Sequence, residues 1–166
     1  MLRMRFPSVE ELSALPVTFR ATVGPEWIDV MGHMNVAWYT HAFSNAVGGL
    51  LSLMGTRLED SRTGQVGTVA LEVHVHYLSE LREGQVLRVH SRLLGCTEKR
   101  FHAISFLVNE TAERLSATSE GVGSYFDLRA RRTAPMPPDV AARTRGLLAE
   151  HAALPWPAPV LGTMGA

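Results

Sequence analysis

The feature that most constrains the fold is an uncharged stretch in the first third of the chain. Between residues 30 and 56 there is no Asp, Glu, Lys or Arg, although charged residues are common on both sides. Most of its positions are apolar. Asn35 is a favoured helix N-cap residue, and Gly55 is a favoured residue just past a helix end. We therefore predict a helix over residues 35–54 that is buried around most of its circumference.

The predicted helix carries one stripe of small and polar side chains at three- and four-residue spacing. The stripe consists of His41, Ser44, Asn45, Gly48 and Ser52. Such a stripe forms either a solvent-exposed face or a face that another surface or a ligand approaches closely, and the sequence favours neither. The polar groups and the short apolar body of the stretch favour a buried helix over one that crosses a membrane.

Four long segments after residue 67 alternate apolar and polar residues, which is typical of strands with one buried face. They cover residues 69–77, 86–94, 99–108 and 115–126, and residues 17–23 show the same alternation. Short connections between the four segments predict an antiparallel meander. Its apolar face must be covered, and the helix is the large apolar element available. We therefore predict an α+β fold in which a curved antiparallel sheet wraps around a long central helix, while the other sheet face stays semi-polar or meets a partner chain.

Each end of the chain contains a predicted helix outside the sheet. Ser8 and Glu11 match a capping box, which predicts a short helix that ends before Pro16. Residues 139–153 form the second predicted helix, and residues 56–67 are predicted to be a loop. The chain accordingly divides into three parts: an N-terminal extension (1–16), a main domain (17–132), and a C-terminal helix with an irregular tail (133–166).

The composition argues against several classes of function. Sixteen basic residues match sixteen acidic ones, so no global electrostatic attraction favours a nucleic acid or an anionic membrane as partner. The single cysteine, Cys96, excludes an intramolecular disulfide framework and fits a reducing cytoplasm. The first residues lack the apolar run of a signal peptide. The sequence contains no phosphate loop, dinucleotide fingerprint or serine nucleophile elbow.

Seven histidines raise the question of a metal site. His74 and His76 point to the same side of a predicted strand, where Glu72 could add a third ligand. A His-x-His pair on the polar side of a strand is more often plain surface or interface. We therefore expect no metal.

Asp29 is the acid nearest to the start of the predicted helix, and it has two interpretations. It either caps the helix by accepting N–H bonds from the first turn, or it acts as a general base or nucleophile. In the second case, free amides near Val36 and Ala37 would polarise a carbonyl as it becomes an oxyanion. One short stretch would then supply both halves of acyl hydrolysis, but these residues alone do not decide between cap and catalyst.

The motif Asp29-x-x-Gly32-His33-x-Asn35-x-x-x-Tyr39, followed by an apolar helix and four long strands, resembles the hotdog-fold acyl-CoA thioesterases of the 4-hydroxybenzoyl-CoA thioesterase type. The resemblance covers about residues 17–132. Within that group, three segments are similar to thioesterases of carnitine degradation that act on betainyl-CoA: residues 25–29, 71–78 and 98–102. The resemblance implies the hotdog fold and the hydrolysis of a small acyl-CoA, with betainyl-CoA as a candidate substrate.

The resemblance also implies catalytic roles for individual residues. Asp29 matches the acid that serves as nucleophile or as base for water, and the backbone N–H of Val36 matches the position that polarises the carbonyl. His33 and Asn35 stand where some members have apolar residues, and we interpret them as groups that position water.

Six further residues are candidates for substrate binding. A betainyl group would need aromatic faces, for which Trp27, Trp38 and Tyr39 are candidates, although core packing is the more common role for a residue such as Trp38. Lys99 and Arg100 are candidates for contacts with the CoA phosphates. Glu72 is either a second acid of the site or an interface group, and the interface role is slightly favoured.

The partners implied by the resemblance are an acyl-CoA substrate and further copies of the chain, as a homodimer or homotetramer with sites between protomers. Coenzyme A enters as part of the substrate, and no metal or redox cofactor is expected. Two alternatives keep the same fold. One is a hydratase or dehydratase that acts on acyl thioesters, and the other is a non-catalytic acyl-CoA-binding module.

Overall fold

The uncharged stretch forms a long helix, as predicted. In a computed structural model of the chain, which describes residues 4–166 without the side chains of residues 58 and 60, this helix is α2 and spans Val36–Leu53. The other helices are α1 (Val9–Leu12), α3 (Leu58–Arg62) and α4 (Pro138–Ala152). The strands are β1 (Val17–Thr22), β2 (Val66–Tyr77), β3 (Val86–Cys96), β4 (Arg100–Asn109), β5 (Arg114–Asp127) and β6 (Arg132–Thr133). Within the described residues, no helix is both long enough and apolar enough to span a membrane.

The five long strands form one antiparallel sheet in the order β1-β3-β4-β5-β2, and β6 pairs with β5. The predicted meander is correct for β3, β4 and β5, which are neighbours both in sequence and in the sheet. It is wrong for β2, which lies beside β5 rather than β3. Strand β1 occupies the other edge of β3, with Phe19 opposite Val89, so β2 takes the free edge of β5.

Local sequence signals define the ends of several elements. The capping box before α1 is confirmed, because the Glu11 N–H donates to Ser8 Oγ at 3.1 Å and the Ser8 N–H donates to Glu11 Oε2 at 2.8 Å. The loop predicted over residues 56–67 is wrong in part, since α3 lies within it. A five-residue helix is too short to produce the apolar periodicity by which helices are recognised.

Contacts along the chain define two compact units. The first contains the residues up to Gly49 together with 75–91 and 105–119, and the second contains 50–74, 92–104 and 120–166. In the first unit, α2 packs against the strands in one buried cluster that includes Ala42, Phe43 and Ala46 of the helix and Val89, Leu107 and Ala117 of the sheet. The division into an extension, a main domain and a tail cuts the chain elsewhere and stays a prediction.

In the second unit, the C-terminal tail packs onto the strands. Arg92 donates to the Trp156 carbonyl at 2.8 Å, and its guanidinium carbon lies 4.5 Å from the centroid of the Trp156 ring. Farther along the tail, the Leu161 N–H donates to Glu120 Oε2 at 3.1 Å, and Glu120 Oε1 lies 2.9 Å from His102 Nε2. These side chains on β3, β4 and β5 are buried. These side chains are polar, in agreement with the semi-polar alternative, and the tail of the same chain rather than a partner chain contacts them here.

The polar stripe of α2 faces solvent in this chain, since His41, Ser44, Asn45 and Ser52 are all exposed. The prediction that this helix is buried around most of its circumference is therefore wrong, because the fully buried positions lie on one face. The second interpretation of the stripe required another surface to approach the helix closely. Such an approach occurs at Gly49, which is next to the stripe residue Gly48. A Cβ on Gly49 would lie 2.2 Å from the carbonyl oxygen of Thr18 in β1, whereas a Cβ on Gly48 would meet nothing within 4 Å. Gly49 is therefore the position through which α2 approaches the backbone of β1.

We expect Gly49→Ala to destabilise the protein and Gly48→Ala to stabilise it. The methyl group at position 49 must displace the β1 backbone, and overpacking of this kind costs about 1–3 kcal/mol. The methyl group at position 48 enters open space and improves helix propensity by about 0.5–1 kcal/mol. Urea unfolding of the two variants measures both free energies. Equal effects at the two positions would contradict the close packing of α2 on β1.

Candidate active site

A cavity of about 430 Å³ lies beside the start of α2, within the first unit. Its volume falls in the range of small-ligand sites. All four residues predicted to be catalytic line it, as does one residue predicted to bind substrate. The lining is formed by Asp29, Met31, His33, Met34, Asn35, Val36, Tyr39, Tyr77, Ser79 and Glu80.

A tight turn holds Asp29 at the cavity. The Gly32 N–H donates to the Asp29 carbonyl at 3.0 Å, and the Asp29 N–H donates to the His33 carbonyl at the same distance. Gly32 has a φ of +80°, in the left-handed region where any other residue would be strained. The Asp29 side chain reinforces the turn, because its Oδ1 accepts the Met31 N–H at 2.8 Å.

The second carboxylate oxygen of Asp29 makes no hydrogen bond to the described residues. Oδ2 lies 3.7 Å from Nδ1 of His33, which is too long for a hydrogen bond. The Asp29 side chain keeps 16% of its surface exposed, so it is partly desolvated but still reachable from the cavity. A carboxylate that is fixed through one oxygen can use the other to take a proton from water or to attack a carbonyl carbon.

Asn35 caps helix α2. Its Oδ1 accepts the Ala37 N–H at 2.9 Å, and its carbonyl accepts the Trp38 N–H at 3.0 Å. Among the described residues, no acceptor bonds the N–H of Val36, which is the first helical residue and lines the cavity. The start of α2 thus presents a free donor at the positive end of the helix dipole.

The capping interpretation of Asp29 is therefore wrong. Asp29 bonds Met31 inside its own turn, and Asn35 supplies the oxygen that the helix needs. The catalytic interpretation stays a prediction, and the geometry is compatible with it, because Asp29 and Val36 line one cavity. The cap uses one lone pair of Asn35 Oδ1, and the Nδ2 donor of Asn35 is available to bind a water.

Two tyrosines form an aromatic wall of the cavity. The rings of Tyr39 and Tyr77 meet edge to face, with centroids 5.3 Å apart and planes at 86°. Tyr39 is buried, and its hydroxyl donates to the Ser79 carbonyl at 3.3 Å. Burial raises the pKa of Tyr39, so its phenol stays neutral at physiological pH. Tyr77 is half exposed at the end of β2.

Trp27 and Trp38 do not contribute to this wall. Their rings stack on each other with centroids 4.6 Å apart and planes at 8°, and the His41 ring packs edge-on 5.2 Å from the Trp38 centroid. Each indole thus has one face covered by the other, and neither lines the cavity. The structure therefore does not bring the two tryptophans into the aromatic cage predicted for them with Tyr39.

Three predicted substrate contacts lie in the second unit and do not line the cavity. Glu72 is exposed in the middle of β2, and Lys99 and Arg100 are exposed where β3 connects to β4. Their predicted roles stay predictions. In the part of the chain that the structure describes, no group of three or more His, Cys, Asp and Glu side chains is arranged to hold a metal ion.

Sequence reasoning missed Tyr77, Ser79 and Glu80. The alternation of β2 placed Tyr77 on the apolar side of the strand. Glu80 was predicted to begin a turn, and Ser79 fell between the predicted strand and that turn. The bond between Tyr39 and Ser79 joins residues 40 positions apart in sequence. No local pattern reports such a contact, because it depends on where β2 ends relative to the start of α2.

Three comparisons relate the chain to known proteins. The sequence profile of the Thioesterase-like superfamily matches residues 23–144. A betainyl-CoA thioesterase of Pseudomonas aeruginosa is 32% identical over 154 residues, which cover 93% of this chain and 97% of that protein. An L-carnitine dehydrogenase/betainyl-CoA thioesterase of Agrobacterium fabrum is 32% identical over 139 residues, which cover 80% of this chain but only 28% of that longer protein.

A solved structure gives the same relationship at the level of the fold. A protein of Staphylococcus aureus, solved in complex with CoA, has a TM-score of 0.79 at 27% identity. The match covers 92% of this chain and 96% of that chain. Together with the sheet order and helix α2, this likeness confirms the predicted hotdog fold.

We expect Asn35→Ala to lower the free energy of unfolding by about 1 kcal/mol, because α2 loses its cap. Asn35→Asp should restore most of that loss, since a carboxylate oxygen accepts the same bond at the positive helix end. Asp29→Asn keeps an acceptor oxygen for its turn and should change stability by less than about 0.5 kcal/mol. Urea denaturation measures all three. An unchanged free energy of unfolding in Asn35→Ala would contradict the assignment of the cap to Asn35.

Proposed function

The chain belongs to the thioesterase-like superfamily and is a thioester hydrolase, and we propose that it hydrolyses a small acyl-CoA, betainyl-CoA in particular, with Asp29 as the reactive carboxylate. One observation carries this proposal. A single cavity is lined by a carboxylate with an unbonded oxygen and by the free amide at the start of α2. Those are the two groups that hydrolysis of a thioester requires.

In the proposed reaction, the thioester carbonyl oxygen lies against the N–H of Val36. As the carbonyl carbon is attacked, this oxygen gains negative charge, which the N–H and the helix dipole stabilise. Collapse of the tetrahedral intermediate breaks the C–S bond and releases CoA, whose thiolate takes up a proton. The products are the free acid and the CoA thiol, and water is the co-substrate.

Asp29 can enter this reaction in two ways. Its Oδ2 either attacks the carbonyl carbon and forms an anhydride that water then hydrolyses, or it removes a proton from the attacking water. In the second route, His33 and the Nδ2 of Asn35 are proposed to position that water. A single turnover in ¹⁸O-labelled water detects the nucleophilic route in which water attacks the Asp29 carboxyl carbon of the anhydride, because the first product then carries unlabelled oxygen from Asp29. In the base route, the first product carries labelled oxygen.

Several observations support the identity of the substrate. The similarity to a betainyl-CoA thioesterase over nearly the whole of both chains supports betaine as the acyl group. The related structure in complex with CoA supports CoA as the leaving group. We retain Lys99 and Arg100 as proposed contacts for the CoA phosphates, because both are exposed cations. The proposed reaction needs no group beyond thioester and water, and we place it in the cytoplasm, which the single cysteine fits.

We also propose that the protein forms a homodimer through strand β2. This strand lies at an edge of the sheet and exposes Leu71 at 49% and Val73 at 57%. An exposed apolar edge strand is a template for pairing with another chain. Glu72 lies between these two residues and would then be an interface group. Because β2 ends at Tyr77 in the cavity wall, a partner paired along β2 would extend that wall.

We expect Asp29→Asn to lower the rate of thiol release from betainyl-CoA by at least about 100-fold, since an amide can neither attack nor accept the proton. A thiol-reactive dye follows the release. Glu26→Gln is the matched control, because it neutralises an exposed acid three residues earlier that does not line the cavity. It should retain the activity of the unmodified protein.

Three results would contradict the proposal. Near-full activity of Asp29→Asn would remove Asp29 from the mechanism. Loss of the conjugated absorbance of an enoyl-CoA, without thiol release from any acyl-CoA, would indicate a hydratase. Saturable binding of acyl-CoA with no turnover of any thioester would indicate a binding module.

We expect the unmodified protein to sediment as a dimer and Val73→Lys to sediment at half that mass, because the new charge would be buried without a partner in the interface. Val17→Lys is the control. It places the same charge on β1 at the opposite edge of the sheet, where Val17 is 51% exposed, and should leave the dimer intact. A monomeric unmodified protein, or dissociation by both variants, would contradict pairing through β2.

A further inference from the structure

We infer that Tyr77, with Tyr39 and Glu80, forms an acyl-group subsite that selects an acyl chain carrying a quaternary ammonium cation. The inference rests on the proposed thioesterase function and deepens it. It assigns the residues that distinguish a cationic acyl group from a neutral one of the same shape. None of the three belongs to the pair, Asp29 and Val36, that is proposed to carry the hydrolysis.

The charged side chains that line the cavity are carboxylates. Asp29 and Glu80 are lining residues, and among the residues that the structure describes no Lys or Arg lines the cavity, so His33 is the remaining basic side chain of this lining. A concave site lined by charges of one sign attracts ligands of the opposite sign. The lining therefore favours a cationic acyl group over one that carries a carboxylate, although Arg82 and Arg114, which act on Glu80 from outside the lining, offset part of this preference.

Glu80 remains ionised at the rim of the cavity. The hydrogen bond from Arg82 lowers the pKa of Glu80. Both bonds of the guanidinium, from Nε at 3.0 Å and from NH2 at 2.7 Å, end on Oε1. The other carboxylate oxygen of Glu80, Oε2, therefore makes no hydrogen bond to Arg82. Because the Glu80 side chain is 43% exposed and Arg82 offsets part of its charge, its attraction for a cation is modest.

Tyr77 supplies the larger share of the recognition. A trimethylammonium group has no N–H to donate, so proteins bind it against aromatic faces. Tyr77 is 51% exposed at the cavity, and its edge-to-face contact with Tyr39 restricts its ring. The Tyr39 ring is itself fixed by burial and by its bond to Ser79. The two rings form a rigid corner at 86°, which is a shape that suits a rounded cation.

The test compares two substrates that differ by one charge. These are betainyl-CoA and 3,3-dimethylbutanoyl-CoA, in which a carbon atom replaces the nitrogen and the shape is retained. The measured quantity is the ratio of the two kcat/KM values in each variant, divided by the ratio in the unmodified protein. This double ratio cancels the different intrinsic reactivity of the two thioesters.

We expect Tyr77→Leu to lower the ratio about tenfold, which corresponds to about 1.4 kcal/mol. Glu80→Gln should lower it about threefold, because its charge is exposed and partly offset. Tyr77→Phe keeps the aromatic face and should keep the ratio within about twofold. Glu83→Gln is the matched control, since it makes the same substitution as Glu80→Gln on an exposed side chain outside the cavity, and it should leave the ratio unaltered.

The outcomes separate this inference from the function on which it rests. If Tyr77→Leu and Glu80→Gln leave the ratio unchanged while the unmodified protein releases thiol, the subsite is overturned and the thioesterase function stands. If the unmodified protein releases thiol from neither compound, the proposed function fails as well. Thermal unfolding checks that each variant is folded. Should Tyr77→Leu not fold, Glu80→Gln decides the inference, because Glu80 is a surface side chain.

Discussion

One face of helix α2 packs into the core, and the cavity lies beside the start of that helix. The buried face cannot hold an unpaired acid or base, because a buried charge without a partner is costly. The first turn differs, since its N–H groups have no partners within the helix and carry partial positive charge. Asn35 satisfies one of them through its side chain, and the Val36 N–H is left over. The helix that organises the core thereby also creates a favourable place for an oxyanion.

The turn before α2 divides two tasks between two side chains. Asn35 caps the start of α2, so Asp29 is not needed as the cap. Asp29 in turn holds its own turn through Oδ1 and the Met31 N–H, while Oδ2 makes no such bond. A carboxylate is suited to this double use, because it has two equivalent oxygens and can be positioned by one while it reacts through the other. Asn at position 29 would keep the positioning bond and lose the oxygen that is proposed to react.

The features that were predicted correctly are those that a few adjacent residues determine. The capping box at Ser8, the cap at Asn35 and the strand positions follow from spacing and periodicity. The sheet order does not, because β2 can pair with β3 or β5 and the choice depends on β1, far upstream in sequence. The prediction of the residues in the cavity wall was wrong because that wall also depends on contacts between residues that are distant in sequence. Proximity in sequence suggested Trp27 and Trp38, which stack on each other, whereas Tyr77 reaches the cavity from the end of a strand.

A betainyl group would bring part of its own activation to this site. The cationic nitrogen beside the carbonyl withdraws electrons, so the carbonyl carbon is attacked more readily than in an ordinary aliphatic thioester. For such a substrate, less stabilisation by the oxyanion donor is needed. Selection between acyl-CoAs matters more, because they all present the same CoA portion and differ only in the acyl group. To select between acyl groups that differ by one charge, the cavity wall must bind a cation better than a neutral group. The residues proposed for this, Tyr77 and Glu80, are distant in sequence from Asp29 and Val36. The start of α2 and the turn before it position the proposed hydrolytic pair, Asp29 and Val36, whereas the end of β2 positions the proposed acyl-group wall. Substitutions in that wall would therefore change the acyl preference without moving the atoms that are proposed to react.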